Sequence, residues 1–130
     1  MGCDPFLLTT TIRAILAQRL IRKLCDRCIV KYRPTEKDLK SIGLKQLDGF
    51  IYHANSKGCK SCGKDGYRGR AGLYELLVPN EEINEAVKNE ASAEEVSRIA
   101  KNNKMRMLVD AARTYVTQGL TSVEEINRVL

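Results

Sequence analysis

The sequence has little aromatic character and almost no histidine. Its 130 residues include no tryptophan, two phenylalanines and one histidine, so a core must be built mainly from aliphatic side chains. Neither a Ser-His-Asp set nor a G-x-x-x-x-G-K-[ST] phosphate-binding loop can be found. No run approaches the roughly 20 apolar residues of a membrane-spanning helix, and there is no apolar signal segment. These absences favour a binding or assembly module over a self-sufficient catalyst.

Two Cys-x-x-Cys pairs are the strongest chemical signal in the chain: Cys25 with Cys28, and Cys59 with Cys62. Together they offer four thiolates, the ligand set of closed structural zinc sites. The 30 residues between the inner cysteines exceed the roughly 15–20 of a compact zinc ribbon, which predicts a small subdomain between the pairs. A closed site leaves no position for water or substrate, so the metal is expected to be structural.

Other interpretations of these cysteines remain open. Two disulfides would suit an oxidising compartment, but the chain has no signal segment and has an odd fifth thiol, Cys3. A redox pair would need a thioredoxin-like context, and an iron–sulfur cluster would also use four thiolates. His53, six residues before Cys59, is a weaker candidate ligand. We expect Cys3 to be buried or half-buried, with no ligand role.

Charge is unevenly distributed along the chain. Residues 1–70 carry 15 basic and 6 acidic side chains, whereas residues 71–130 carry 7 and 10. A basic half raises an alternative function, a nucleic-acid-binding zinc module that uses residues 13–40 and 57–70 to neutralise phosphates. Few aromatic residues are interleaved with these charges, and no base-reading helix or standard finger spacing is present. A peripheral membrane surface would draw on the same charge but lacks a clear anchoring helix.

Hydrophobic spacing and capping residues predict mainly helices with a small β-hairpin, an α+β fold. Helical spacing separates five apolar residues, Ile12, Ile15, Leu16, Leu20 and Leu24, which predicts one amphipathic N-terminal helix ending at the first cysteine pair. Thr35 is expected to cap a short helix, and residues 50–52 and 73–78 to pair as an antiparallel ribbon. The C-terminal half is predicted to be helical, with caps at Asn80, Ser92 and Thr121.

Six motifs in the chain carry a family resemblance: MGCDPFLL at 1–8, AQRL at 17–20, RKLC at 22–25, GCKSC at 58–62, GYRGRAGLYELL at 66–77 and GLTSVEEI at 119–126. They resemble the C-terminal part of the type II secretion E-proteins and the type IV pilus extension ATPases. The resemblance is nearly end to end, and it implies that residue 1 falls just after the catalytic core motifs of that family. The retraction ATPases of the same superfamily typically lack the cysteine insertion, which favours the secretion or extension branch.

The resemblance implies a parent that is a hexameric cytoplasmic P-loop ATPase at the bacterial inner membrane. Its partners would be the other subunits and the inner-membrane platform proteins, with no nucleic acid expected. ATP and magnesium would belong to the parent alone, because this chain lacks the family's phosphate-binding loop, acidic metal motif and histidine motif. The segment is therefore expected to have no catalytic residues. The family's zinc ligands map onto Cys25, Cys28, Cys59 and Cys62.

The resemblance also suggests how the chain is organised. Residues 1–24 would be a helix from the end of the ATPase core, residues 25–66 the zinc subdomain, and residues 67–130 a strand followed by a helical subdomain. Within the GYRGR run, Arg68 and Arg70 are possible contacts to a neighbouring subunit, since guanidinium groups bind carboxylates with two-pronged geometry. Solvated arginines beside permissive glycines are the alternative. The residues fit type II secretion, type IV pilus and competence systems alike.

Overall fold

The computed structural model describes residues 2–130 and shows an α+β fold, as predicted. Met1, the first residue of the resemblance, lies outside the described residues. Four strands form a pair of two-stranded sheets, β1 with β4 and β2 with β3. The elements in chain order are α1 (Pro5–Thr11), β1 (Ile15–Leu24), β2 (Val30–Tyr32), α2 (Glu36–Ser41), β3 (Ile51–His53), a 3₁₀ turn (Lys60–Cys62), β4 (Tyr67–Leu77), α3 (Glu81–Lys88), α4 (Ala93–Asn102), α5 (Leu108–Thr117) and α6 (Val123–Val129).

The chain divides into two compact units. The first comprises the chain up to Ala17 together with Tyr74–Met107, and in it α3 contacts both α1 and α4. The second comprises Gln18–Leu73 and Leu108–Leu130. Its aliphatic core contains Ile21, Ile42, Ile51, Leu73, Ala112, Val116, Val123 and Ile126. The three-part division at residues 24 and 66 stays a prediction.

The predicted N-terminal amphipathic helix is wrong over residues 15–24. A helix forms earlier, at Pro5–Thr11, where Asp4 accepts a hydrogen bond from the Phe6 N–H at 2.8 Å. The chain then becomes the strand β1, which pairs with β4. Of the apolar residues in β1, Leu16 and Leu20 are exposed while Ile21 is fully buried. The helical spacing was therefore coincidental, because pairing with a strand more than 40 residues away decides the local structure.

The predicted pairing of residues 50–52 with residues 73–78 is also wrong. Residues Ile51–His53 form β3, which pairs antiparallel with β2 in the register Val30↔His53. Both strands lie in the segment between the cysteine pairs, so their connection is shorter than the one predicted. The ribbon is thus internal to that segment, and β3 contacts α5 from there.

Most helix starts agree with the capping residues. Thr35 and Asp38 form a complete capping box at α2, while Asn80 and Ser92 accept hydrogen bonds from the third residues of α3 and α4. The predicted cap at Thr121 is wrong by one residue, because Ser122 caps α6 and accepts from the Glu125 N–H at 3.2 Å. None of the helices in residues 2–130 combines the length and apolar character needed to cross a membrane.

Candidate metal centre

The structure brings together the four cysteines of the two Cys-x-x-Cys pairs. Their sulfur atoms all lie within 4.8 Å of one another. The Sγ–Sγ distance is 3.8 Å for both Cys25–Cys59 and Cys28–Cys62, and 3.7 Å for Cys59–Cys62. A tetrahedron with zinc–sulfur bonds of about 2.3 Å has edges of about 3.8 Å. The four-cysteine group can therefore hold one metal ion with little rearrangement.

The same distances bear on the other interpretations of these cysteines. A disulfide requires its sulfur atoms at about 2.05 Å, and all five cysteines, in residues 2–130, are free. Cys3 is exposed, so the expectation that it would be buried is wrong. His53 is not one of the clustered residues: its Nδ1 lies 2.9 Å from the Ala54 carbonyl oxygen, and its ring packs edge-on against Tyr32.

Each cysteine pair lies on a tight turn. The first turn follows β1, where the N–H groups of Cys28 and Ile29 both donate to the Cys25 carbonyl, at 3.1 and 2.9 Å. The second is the 3₁₀ turn, in which the N–H of Cys59 donates to the Cys62 sulfur at 3.1 Å. The N–H of Gly66 donates to the same sulfur at 3.2 Å. Amide groups aimed at sulfur favour the charged thiolate.

The thiols differ in their readiness to ionise. The hydrogen bond from the Cys59 N–H is the main cause that lowers the pKa of Cys62 to about 6, against opposition from burial. Burial, followed by hydrogen bonding to Cys62, raises the pKa of Cys28 to about 12. Backbone N–H groups thus stabilise the Cys62 thiolate, whereas ionisation of Cys28 needs a compensating positive charge. A divalent cation would supply that charge.

Backbone hydrogen bonds join the two turns to each other and to the C-terminal helices. The N–H of Cys25 donates to the Gly66 carbonyl at 2.9 Å, next to the second turn. One residue earlier, the N–H of Leu24 donates to the Leu120 carbonyl at 2.9 Å, in the connection between α5 and α6. The cysteines are therefore held on the same framework that carries the core of the second unit.

A close backbone approach beside the second turn requires glycine at residue 58. Gly58 has a φ of +56°, and a Cβ there would lie 2.3 Å from the Lys64 carbonyl carbon. Gly63 also has a positive φ, +64°, but a Cβ there would have no atom within 4 Å. The two positions share a backbone conformation and differ only in the space around them. Sequence analysis did not single out Gly58, although its place directly before Cys59 was visible.

We therefore expect Gly58→Ala to be far more damaging than Gly63→Ala. The control variant should cost about 1 kcal/mol, the penalty of the left-handed conformation, whereas Gly58→Ala must also move the Lys64 backbone and should cost about 3 kcal/mol. Denaturant unfolding of the metal-loaded proteins measures both. Equal losses from the two substitutions would contradict the close approach at Gly58.

A buried carboxylate that sequence analysis missed binds β1 at Arg22, three residues before the first cysteine pair. The Glu125 side chain is fully buried, and Arg22 contacts it three times: its backbone N–H donates at 2.8 Å, its Nε donates at 3.0 Å and its Nη2 lies at 3.0 Å. Arg128 donates from Nε at 2.9 Å and from Nη2 at 2.6 Å. Burial would raise the pKa of Glu125, but these hydrogen bonds outweigh it and hold the pKa at about 2.

The same cluster fixes the approach of β1 to the first cysteine pair. The Arg22 guanidinium stacks 4.0 Å from the ring centre of Tyr67, whose hydroxyl lies 2.8 Å from the Ser122 Oγ. The Thr121 hydroxyl donates to the Arg22 carbonyl at 2.9 Å. Thr121, predicted as a helix cap, thus holds the strand that leads to Cys25. No local pattern could reveal this, because Arg22 and Glu125 are 103 residues apart.

Arg68 and Arg70 are both exposed, but they line different cavities of the second unit. Arg68 lines a cavity of about 650 Å³ together with Lys23 and Tyr52. Arg70 lines a separate cavity of about 470 Å³ with Arg22 and Arg128. Gly69, between the two arginines, has a φ of +77°, which interrupts the two-residue alternation of a regular strand. Their role as subunit contacts stays a prediction.

Comparison with known proteins identifies the family. The family model described as "Type II/IV secretion system protein" matches residues 1–128. Type II secretion system protein E of Pseudomonas aeruginosa is 38% identical to this chain over 129 residues, which are 99% of the chain and 25% of that relative. Type IV pilus assembly ATPase PilB of Thermus thermophilus is 34% identical over 97% of the chain and 14% of its own length.

A third relative, type II secretion system ATPase E of Vibrio cholerae, is 33% identical over 99% of the chain and 25% of its own length. The chain thus spans a quarter or less of the length of these three relatives. The match extends over the cysteine pairs and both compact units. On these grounds the chain belongs to the type II/IV secretion system protein family.

Proposed function

We propose that this chain is the zinc-binding, non-catalytic part of a hexameric ATPase that powers type II protein secretion or type IV pilus assembly. Its zinc ion would be structural and would be held by Cys25, Cys28, Cys59 and Cys62. The observation that carries the proposal is the group of four sulfurs within 4.8 Å of one another in a chain of this family. Nitrogen and oxygen ligands are absent from that group, which suits zinc better than magnesium or calcium.

A structural role agrees with the surroundings of the cysteines. Four protein ligands complete the coordination of a tetrahedral ion, so none is left for a substrate or a reactive water. When bound, zinc would supply positive charge to the thiolates and cross-link the two turns. Arg68 and Arg70, both exposed, are our candidates for contacts to other subunits or to platform proteins. Through those partners the parent would sit at the cytoplasmic face of the inner membrane.

Elemental analysis of the purified chain, combined with an ATP turnover assay, tests this proposal. We expect one zinc ion per chain and no ATP hydrolysis above the buffer blank. Strong chelation should reduce the helical far-ultraviolet circular dichroism by unfolding the second unit, because structural zinc in small modules contributes on the order of 10 kcal/mol. Adding zinc back should restore the spectrum.

Four results would count against the proposal. A metal-free chain that keeps its fold would remove the structural zinc, and a coloured protein containing iron would replace it by an iron–sulfur cluster. Zinc-dependent ATP turnover by the isolated chain would overturn the non-catalytic role. Binding to duplex DNA that weakens steeply as the salt concentration rises would support the alternative nucleic-acid function instead.

A further inference from the structure

Three arginines from distant parts of the sequence line one cavity on the second unit. Arg22 comes from β1, Arg70 from β4 and Arg128 from α6, and the cavity encloses about 470 Å³. Leu20 and Ile21 complete its wall, and Leu20 is 53% exposed. The cavity therefore combines three guanidinium groups with an exposed apolar side chain. None of the residues that line this cavity is one of the four clustered cysteines.

Glu125 orients two of these arginines and leaves part of each guanidinium available. Arg22 and Arg128 both use Nε and Nη2 to contact the buried carboxylate. A guanidinium carries five N–H groups, so each arginine keeps its Nη1 edge for another acceptor. On Arg22 that edge forms a long ion pair with the exposed Asp65, 3.7 Å from Nη1, which an incoming carboxylate would displace. Stacking on Tyr67 further restricts Arg22, so little ordering is left for a ligand to impose.

Arg70 is the arginine with no partner of its own. Within residues 2–130, its side chain makes no hydrogen bond or ion pair and is exposed. Three guanidinium groups face one buried carboxylate and one exposed carboxylate, so the cavity retains a net positive charge. Paired guanidinium edges match the two oxygens of a carboxylate.

We propose that this cavity binds an acidic segment of a protein partner, with a carboxylate on Arg70 and the Nη1 edges of Arg22 and Arg128. The exposed Leu20 would receive an apolar side chain next to that carboxylate. An open cavity of 470 Å³ with a leucine in its wall suits such a segment better than a single phosphate ion. The inference deepens the contact role in our proposed function by giving the contact its chemistry, and it rests on that role.

Nuclear magnetic resonance of the arginine Nε–H groups tests this inference on the zinc-loaded chain. The probes are a blocked Glu-Leu-Glu peptide, its Gln-Leu-Gln counterpart and inorganic phosphate. We expect the Glu-Leu-Glu peptide to shift the signals of Arg22, Arg70 and Arg128 in a saturable way, and the neutral peptide to leave them unchanged. Arg70→Gln should raise the dissociation constant of the Glu-Leu-Glu peptide at least tenfold.

Arg19→Gln is the matched control, because Arg19 is an exposed arginine of β1 that does not line this cavity. It should change the dissociation constant less than twofold. Equal weakening by the two variants would show diffuse attraction, and equal shifts by the neutral peptide would exclude carboxylate recognition; either result overturns the inference. So would phosphate binding as tightly as the acidic peptide. Full zinc content without peptide binding would reject this inference alone and leave the proposed metal site standing.

Discussion

Replacing Cys59 with serine should remove the metal and unfold the second unit. The Cys59 sulfur lies 3.8 Å from that of Cys25 and 3.7 Å from that of Cys62, so it contacts a ligand of each pair. A serine hydroxyl is a poor zinc ligand at neutral pH, and most of the roughly 10 kcal/mol supplied by a structural zinc ion should be lost. That loss is comparable to the whole stability of a small domain, typically about 5–15 kcal/mol.

The unfolding should extend beyond the two turns because the core is shared. Ile42 and Ile51 are fully buried, and both come from the segment between the cysteine pairs. They pack in one cluster with Ala112 and Val116 of α5. If the segment between the cysteine pairs unfolds, Ala112 and Val116 become exposed to solvent. Amide hydrogen exchange should therefore show lost protection in α5 as well as around the cysteines.

Cys3→Ser provides the control for this experiment. Cys3 is exposed and is not among the clustered cysteines, so its replacement should leave the zinc content and the unfolding midpoint unchanged. Elemental analysis and circular dichroism on both variants suffice. A Cys59→Ser protein that keeps one zinc ion and the unfolding midpoint of the natural sequence would contradict the four-sulfur site.

Replacing Glu125 with glutamine should destabilise the chain by about 3 kcal/mol at neutral pH, because it leaves Arg22 and Arg128 without their buried carboxylate. Glu124→Gln is the control: Glu124 is the neighbouring residue, it is exposed, and its replacement should cost less than about 0.5 kcal/mol. Denaturant unfolding of both variants at neutral pH measures the difference. Equal stability of the two would contradict the buried ion cluster.

The pH dependence of that difference has a defined direction. A carboxyl with a pKa of about 2 in the folded chain, against an ordinary 4.5, stabilises the fold by about 3 kcal/mol when ionised. This stabilisation is complete above pH 4.5 and is lost as the pH falls through 2. Acid also protonates the cysteine thiolates, so the Glu124→Gln control must be measured at each pH. The gap between the two variants should narrow from pH 5 downwards; a constant gap would exclude Glu125 ionisation as its cause.

The four-cysteine cluster could be predicted from sequence because its chemistry is local. Each Cys-x-x-Cys pair forms a turn within four residues, and only the meeting of the two pairs needed the fold. Helix starts were predictable for the same reason, since Thr35, Asn80 and Ser92 each act within three residues of their helix. The family resemblance rested on motifs and was confirmed by the match over residues 1–128.

The errors occurred where distant residues decide the outcome. Residues 15–24 have a spacing that suits a helix, but their pairing with β4 makes them a strand. Ile21, the fully buried residue of that strand, was not part of the helical pattern at all. The Glu125 cluster depends on Arg22, and a local sequence pattern cannot reveal that pair because the two residues are 103 positions apart. Arg68 and Arg70 look equivalent in sequence, but their side chains line different cavities. The positive φ of Gly69 between them could not be read from the sequence.

The buried isoleucines also limit how the segment between the cysteine pairs can be inherited or transplanted. An insertion that folds independently should have its own hydrophobic core. In this chain, however, α2 of the inserted segment packs on α6, and β3 packs on α5. Grafted into another host, the segment would present Ile42 and Ile51 without a partner. Deleted from this chain, it would uncover Ala112 and Val116. Gain or loss of the cysteine segment during evolution therefore requires coordinated change in the C-terminal helices.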